Sequence, residues 1–325
     1  MGRDHSLPLV VSSGDPAGIG PDIILSAYSL RDRSDIPPFF VVGDVSLLHQ
    51  RADMLGLEIK VGHVSEDEDI SSQFSRFLPV LEAAGLSDVV AGQISSSNGA
   101  YVIETIRRSV EEIASGRASG LVTAPIHKAA LYGAGFQFPG HMMLASKELR
   151  VVPVTIHIPF ETVPEVLTKE LIVETVSILA KDLRLKLGIE TPRIIVTGLN
   201  PHAGEDGTLG REEIEVIEPA IKILQDAGLK VSGPYSADPC FHPRARQGYD
   251  AAVAMYHDQA LIPIKTISFD EGVNVTLGLP FIRTSPDHGT AVDIAGTGAA
   301  KADSFIAALK MASGMTRHFQ TLSNQ

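Results

Sequence analysis

Tryptophan is absent from the 325 residues, and cysteine occurs once, at Cys240. A single thiol cannot form an intramolecular disulfide framework, so a reducing compartment, the cytoplasm, is the expected location. Nor can it build a cysteine-rich zinc site, which leaves histidines and carboxylates as the donors for any metal. No apolar run approaches the roughly 20 residues that cross a bilayer. The opening MGRDHSLPLVVSSGD lacks the apolar stretch and small-residue cleavage site of a signal peptide. Gly2 followed by Ser6 has the outline of a myristoylation pattern, but Pro8 and a strand come at once, which argues against it. Positive charge is also scarce: 27 Lys and Arg face 39 Asp and Glu, a net charge of −12, with no basic cluster. A protein that grips nucleic acid or a membrane surface in bulk needs a basic footprint, so neither partner is expected. A few local Arg and Lys still suffice to bind an anionic small molecule.

What is present builds an ordinary globular chain. Hydrophobic residues make up 44% and charged ones 20%, which excludes global disorder. At about 150 residues per domain, the length points to roughly two domains. LPLVVSS (7–13), PFFVVGD (38–44), GLVTAP (120–125), VVPVTIHIP (151–159) and RIIVTGLNP (193–201) read as strands. AAVAMYHDQA (251–260) reads as a strand running into a turn. Helices are expected over 21–30 with Pro21 at the first position, 45–55, 98–115, 171–188, 212–228 and 299–319. Gly188 and Gly228 close two of them. SEDEDISSQ (65–73) reads as an acidic, solvated loop. The alternation predicts an α/β fold with a largely parallel sheet.

In such sheets ligands bind beyond the carboxyl ends of strands, and four polar clusters fall at those places. Gly14-Asp15-Pro16-Ala17-Gly18-Ile19-Gly20-Pro21-Asp22 joins a strand to a helix. Its glycines allow tight turning, and a helix N-terminus attracts anions. The spacing is not the dinucleotide fingerprint, and a plain structural turn explains it equally well. His157, His202 and His257 each sit at a predicted strand end. Three neutral imidazoles would leave a divalent metal an open position for substrate oxygens. A buried histidine bonded to backbone explains any one of them more easily than all three. Lys265, read as following a strand, joins Asn274 and Arg283 in a third cluster. Arg283 interrupts an uncharged stretch and should end on an anion or in an ion pair. The fourth cluster, Asp287 to Gly298, is either a glycine-rich connection or a nucleotide loop using backbone amides and His288.

Together GDPAGIGPD, PIHK at 125–128, FPGH at 138–141, NPHAGEDGTLGREE, MYHDQALIPIK and GVNVTLGLPFIRTSPDHGTAVDIAGTG resemble the 4-hydroxythreonine-4-phosphate dehydrogenases of pyridoxine biosynthesis. The resemblance runs from about residue 8 to 315. HGTAVDIAGTG is also similar to the nucleotide loop of isopropylmalate dehydrogenase, whose fold that family shares. The resemblance implies a two-domain, isopropylmalate-dehydrogenase-like α/β fold with mostly parallel sheets and an interdomain cleft. Residues 1–125 plus 286–325 would form the first domain and 126–285 the second. A homodimer is implied, with the active site at the subunit interface and the third metal ligand reaching in from the partner. His157, His202 and His257 match the metal ligands, and His141, Lys265, Asn274 and Arg283 the substrate-binding positions. His288, Gly289 and Asp293 fall in the dinucleotide loop. Lys265 is also the candidate for proton transfer. Asp258 is the candidate for orienting a metal histidine, with a helix cap as the alternative. One departure stands out. In the family the Gly-His pair is followed by Thr and a helical segment, whereas here Met142-Met143-Leu144-Ala145 follow His141 directly. The substrate-binding Thr has no counterpart, and the segment is either lost or missing from this chain.

The implied reaction is an NAD- or NADP-dependent oxidative decarboxylation of 4-phosphooxy-L-threonine to 3-amino-2-oxopropyl phosphate, feeding pyridoxal phosphate. Zinc, magnesium or cobalt would assist it. The alternatives are a D-threonate or D-erythronate 4-phosphate dehydrogenase and a metal-dependent phosphatase that uses the same histidines without a nucleotide. A non-catalytic binding protein is the third.

Overall fold

Strand segments that are apolar on both faces must be covered on both faces, which a parallel α/β sheet achieves with helices on either side. The computed structural model describes residues 7–65, 68–126 and 141–323. Gly2 and Ser6, His127 and Lys128 of PIHK, and Phe138-Pro139-Gly140 of FPGH lie outside the described residues. The chain divides into two units, Met1–Pro139 with Pro280–Arg317, and Gly140–Leu279 with His318–Gln325. Strands are numbered along the chain. β1 (Leu9–Ser12), β2 (Phe39–Gly43), β3 (Val61–His63), β4 (Leu78–Glu82) and β5 (Leu121–Thr123) come first. β6 (His141–Ala145), β7 (Arg150–Pro153), β8 (Arg193–Thr197), β9 (Lys230–Tyr235), β10 (Ala251–Ala254) and β11 (Val273–Leu277) belong to the second unit. β12 (Arg283–Pro286) returns to the first.

In the first unit the strand order is β3-β4-β2-β1-β5-β12, every pair parallel. β1 and β2 are buried along their whole length. Val10, Phe40, Val42 and Leu81 pack with Tyr101 and Val102 of the helix Gly99–Ala114. Each such side chain, fully buried, contributes roughly 1.5–3 kcal/mol. The helix Val45–Met54 starts at Asp44, whose Oδ1 accepts the Leu47 N–H at 2.7 Å. In the second unit the order is β11-β6-β7-β10-β8-β9. β6 is antiparallel to β11 and β7, and the rest are parallel. Thr168 caps the helix Lys169–Leu187 by accepting the Leu171 N–H. That helix ends, as expected, at Gly188, whose φ of 69° is a left-handed conformation that a side chain would strain.

Several expectations need correction. The strand read over 251–260 stops at Ala254, and His257–Ile267 is a helix, so Lys265 lies on a helix rather than after a strand. Ala260, Leu261 and Ile264 bury one face at helical spacing, and Pro263 removes only one donor from it. The strands read over 151–159 and 193–201 end at Pro153 and Thr197, so His157 and His202 stand in the loops that follow. Ile70–Gln73, within the stretch read as a solvated loop, is a helical turn that buries Ile70. Among the described residues no helix is long and apolar enough to cross a membrane.

The second unit carries a buried ion pair. Lys186 and Asp182 are 2% and 3% exposed. Lys186 Nζ donates to Asp182 Oδ2 at 2.7 Å and to the Leu279 carbonyl at 2.9 Å, and the Gly278 N–H donates to Asp182 Oδ2 at 2.9 Å. Lys186→Met leaves a buried carboxylate without its cation and should cost about 3–5 kcal/mol in denaturant unfolding. Lys222→Met, at an exposed pair with Asp226, should leave the unfolding midpoint unchanged. Equal effects from both substitutions would show that the Asp182 pair contributes nothing special.

Candidate active site

The three histidines singled out from the sequence follow three adjacent parallel strands. β7, β10 and β8 lie side by side, and His157, His257 and His202 come just past their carboxyl ends. Parallel strands leave a sheet on the same edge, so loops that are distant in sequence emerge together. The rings of His157 and His257 have centroids 5.4 Å apart, at 44° to each other. Two imidazoles at that separation suit a shared divalent ion, with nitrogens about 2 Å from it. His202 does not complete the group: among the described residues no cluster of three or more His, Cys, Asp or Glu is placed to hold a metal.

His257 opens its helix, and Tyr256 takes the cap position with no side-chain bond. Asp258 is therefore not the cap. Its Oδ1 lies 2.6 Å from His257 Nδ1. A carboxylate only accepts, so Nδ1 carries the proton and Nε2 presents its lone pair outward. The next residue, Gln259, was missed by sequence reading. Its Oε1 accepts the Met255 N–H at 2.7 Å and the Thr197 hydroxyl at 2.8 Å, while its Nε2 donates to the Gly198 carbonyl at 2.8 Å. One amide thus stitches the exits of β10 and β8, the segments that lead to His257 and His202.

The loop of His202 is unusual. Residues His202 to Asp206 all have positive φ, between 46° and 79°. Non-glycine residues are held in that region only where their surroundings over-determine it. Here Glu213, 1% exposed, accepts the Asn200 N–H at 2.8 Å and the Asn200 Nδ2 at 2.9 Å. A Cβ at Gly204 would lie 2.6 Å from Glu213 Oε2, so only glycine permits that approach. The motif NPHAGEDGTLGREE begins at Asn200 and ends at Glu213, but nothing local says that the two meet, because the lock depends on a fold-made contact.

His141 begins β6, directly opposite Leu277, and Asn274 lies opposite Leu144 in the same ladder. The Thr175 hydroxyl donates to the Leu171 carbonyl at 2.7 Å and lies 3.2 Å from His141 Nδ1. Its single proton is committed, so His141 Nδ1 donates and Nε2 is left facing outward, 3.9 Å from Glu174 Oε1. Lys265 is exposed. In the first unit Arg283 is 9% exposed and donates from Nη2 to Thr123 Oγ1 at 2.6 Å. Burial lowers its pKa to about 10. His288, Gly289 and Asp293 are all exposed on the loop after β12.

A parallel sheet that gathers histidines, a carboxylate and an amide beyond its carboxyl ends is the architecture of an α/β enzyme of small polar molecules. The chain matches the family described as "Pyridoxal phosphate biosynthetic protein PdxA" over residues 35–312, and it belongs to that family. A relative named 4-hydroxythreonine-4-phosphate dehydrogenase, from Methylorubrum extorquens, is 48% identical over 94% of this chain and 93% of its own. One of the same name from Bradyrhizobium diazoefficiens is 48% identical over 97% and 99%. The crystal structure of 4-hydroxythreonine-4-phosphate dehydrogenase from Klebsiella pneumoniae superposes with a TM-score of 0.82 at 32% identity, covering 96% of this chain and all of that one.

The single thiol has no part in this chemistry. Cys240 Sγ donates to the Ser236 carbonyl at 3.1 Å, and burial, reinforced by Asp238, pushes its pKa up to about 11. At pH 8 roughly one thiol in a thousand is then thiolate. Iodoacetamide at pH 8 should leave the native protein unmodified and label the denatured one, with native labelling rising as the pH approaches 11. Prompt native labelling at pH 8 would contradict the assignment.

Proposed function

We propose that this protein is a 4-hydroxythreonine-4-phosphate dehydrogenase, acting in pyridoxal phosphate biosynthesis. The observation that carries this reading is the near-full-length identity to relatives bearing that name. The substrate is 4-phosphooxy-L-threonine. Its C3–H leaves with two electrons as hydride, its C3 hydroxyl loses a proton, and a ketone forms. The bond to the carboxylate carbon then breaks, releasing carbon dioxide. The electron pair stays on the carbon beside the ketone, which takes up a proton to give 3-amino-2-oxopropyl phosphate.

His157 and His257, whose rings lie together, would hold the divalent ion, zinc, magnesium or cobalt. Such an ion supplies Lewis-acid stabilisation of negative charge on the C3 oxygen. Asp258 keeps His257 in the tautomer that can ligate. Lys265 moves the proton. His141, Asn274 and Arg283 bind the substrate; a phosphate or carboxylate beside Arg283 offsets the desolvation of its charge. His288, Gly289 and Asp293 would line the loop that holds NAD or NADP, a dinucleotide that would supply the hydride acceptor. The buried, free Cys240 fits a cytoplasmic setting.

The working unit is a homodimer. Phe160, Ile262 and Phe269 are 70%, 63% and 75% exposed, and the ring of Phe160 stacks edge-on to Tyr256 beside the histidine pair. Large exposed apolar side chains of this kind suit coverage by a second copy. His202 of one copy completes the histidine pair of the other.

Absorbance at 340 nm tests the reaction. Reduction of NAD or NADP by 4-phosphooxy-L-threonine should depend on metal, stop with chelator and return with zinc, magnesium or cobalt. Reduction by D-threonate 4-phosphate alone would move the substrate, and reduction by neither would end the dehydrogenase reading. The shared site makes a separate prediction. His202→Ala and His257→Ala copies, each inactive alone, should recover on mixing roughly a quarter of wild-type activity, since half the dimers are mixed and each carries one intact site. No recovery after exchange of subunits would place all three histidines within one copy.

A further inference from the structure

The first unit contains a second buried ion pair, and it joins two loops. Arg51, on the helix Val45–Met54, is 2% exposed, and Asp22, in the first turn of the helix Gly20–Ser29, is 1% exposed. Arg51 Nη1 donates to Asp22 Oδ2 and, at 2.9 Å, to the Gly18 carbonyl. Its Nη2 donates to the Pro16 carbonyl at 3.1 Å. The guanidinium therefore sets the curve of the turn that runs from Gly14 to Ile19. The second oxygen of Asp22 faces the other way. Asp22 Oδ1 accepts the N–H of Gly296 at 2.7 Å.

Further contacts tie the same two segments together. The Ile19 N–H donates to the Thr290 carbonyl at 2.9 Å. A Cβ at Gly18 would lie 2.9 Å from that oxygen, so the two backbones touch there. Gly296 has a φ of 75°, a left-handed conformation that a side chain would strain. The Gly92 N–H also donates to the Ala17 carbonyl at 2.8 Å, which brings a third turn against the pair. His288, Gly289 and Asp293 of the Asp287–Gly298 loop are exposed, and His288 Nδ1 lies 3.2 Å from the Gly289 carbonyl. The loop is thus braced from behind, at Thr290 and Gly296.

An apolar pair of similar volume could not do this, because Gly18, Pro16 and Gly296 would lose their polar partners. The planar fork of arginine matters as well, since it meets a carboxylate and two carbonyls at once. We infer that Arg51 and Asp22 are positioning residues for the dinucleotide, acting through the loop that binds it. Both side chains are buried, and they hold the Thr290–Gly296 backbone in the shape that receives the cofactor. This rests on the reading of Asp287–Gly298 as the dinucleotide loop.

The test compares Arg51→Met, Arg51→Lys and Asp22→Asn with wild-type protein. NADH and NADPH binding is measured by calorimetry, steady-state constants are measured for dinucleotide and for phosphorylated substrate, and amide exchange is followed over 287–298. Arg51→Met should raise the dinucleotide Kd and KM at least tenfold and speed exchange across the loop. The KM for the substrate should stay within twofold and kcat at saturating dinucleotide within threefold. Arg51→Lys should recover part of the affinity, and Asp22→Asn, which keeps an acceptor for Gly296, should be milder than Arg51→Met. Variants that bind dinucleotide as wild type does, or that lose kcat and every KM together, overturn the positioning role. Should Arg51→Met fail to fold, the Arg51→Lys and Asp22→Asn series decides by the same split. Wild-type protein that binds neither dinucleotide overturns the reading of the loop and the proposal with it. That result is distinguishable, because failure of the brace alone leaves wild-type binding intact.

Discussion

Parallel pairing sends successive strands out of a sheet on the same edge, and the placement of the candidate site residues in both units depends on that. In the second unit β7, β10 and β8 are neighbours by register, not by sequence. Each must be reached by a long crossover, and the helices that make the crossovers also cover the sheet. The loops bearing His157, His257 and His202 therefore emerge side by side although tens of residues separate them. In the first unit β1 and β12 flank β5, all parallel. The Gly14–Ile19 turn and the Asp287–Gly298 loop leave that edge and meet through Asp22 and Thr290.

Polar groups drawn into these edges have to be satisfied, and the protein does so with a few buried side chains that each bond several partners. Gln259 uses both ends of its amide on the exits of β10 and β8. Glu213 uses both oxygens on Asn200 and so supports a run of left-handed residues. The two buried ion pairs apply the same rule at higher charge. Asp182 and Lys186 bond to the chain just after β11, and Asp22 and Arg51 bond to two loops. A buried pair contributes little net stability over an apolar one, so its use lies in what its spare donors and acceptors hold.

Much of the fold in both units was legible in the sequence. The strand and helix alternation, Pro21 at a helix start and Gly188 at a helix end all follow from local rules, and the structure contains them. The errors have a common source. Reading 251–260 as strand into turn put Lys265 after a strand, because the apolar run Ala251–Ala254 continues into a short helical pattern with Pro263 in it. β3, β4, β9, β11 and β12 were not read as strands, being short or interrupted by Gly and Pro, and they gain their regularity from pairing.

The sequence by itself determined the fold class, the family and the residue types able to hold an anion or a metal, since apolar periodicity and motif spacing are local properties of the chain. Only the tertiary structure decided that the rings of His157 and His257 come together, with no cluster of three metal-binding side chains among the described residues. It alone put the Asp258 carboxylate on His257 rather than at a helix cap, and joined Arg51 to a loop far along the chain. Those are contacts between segments, and their distances are set by strand order and helix packing, which no local pattern encodes.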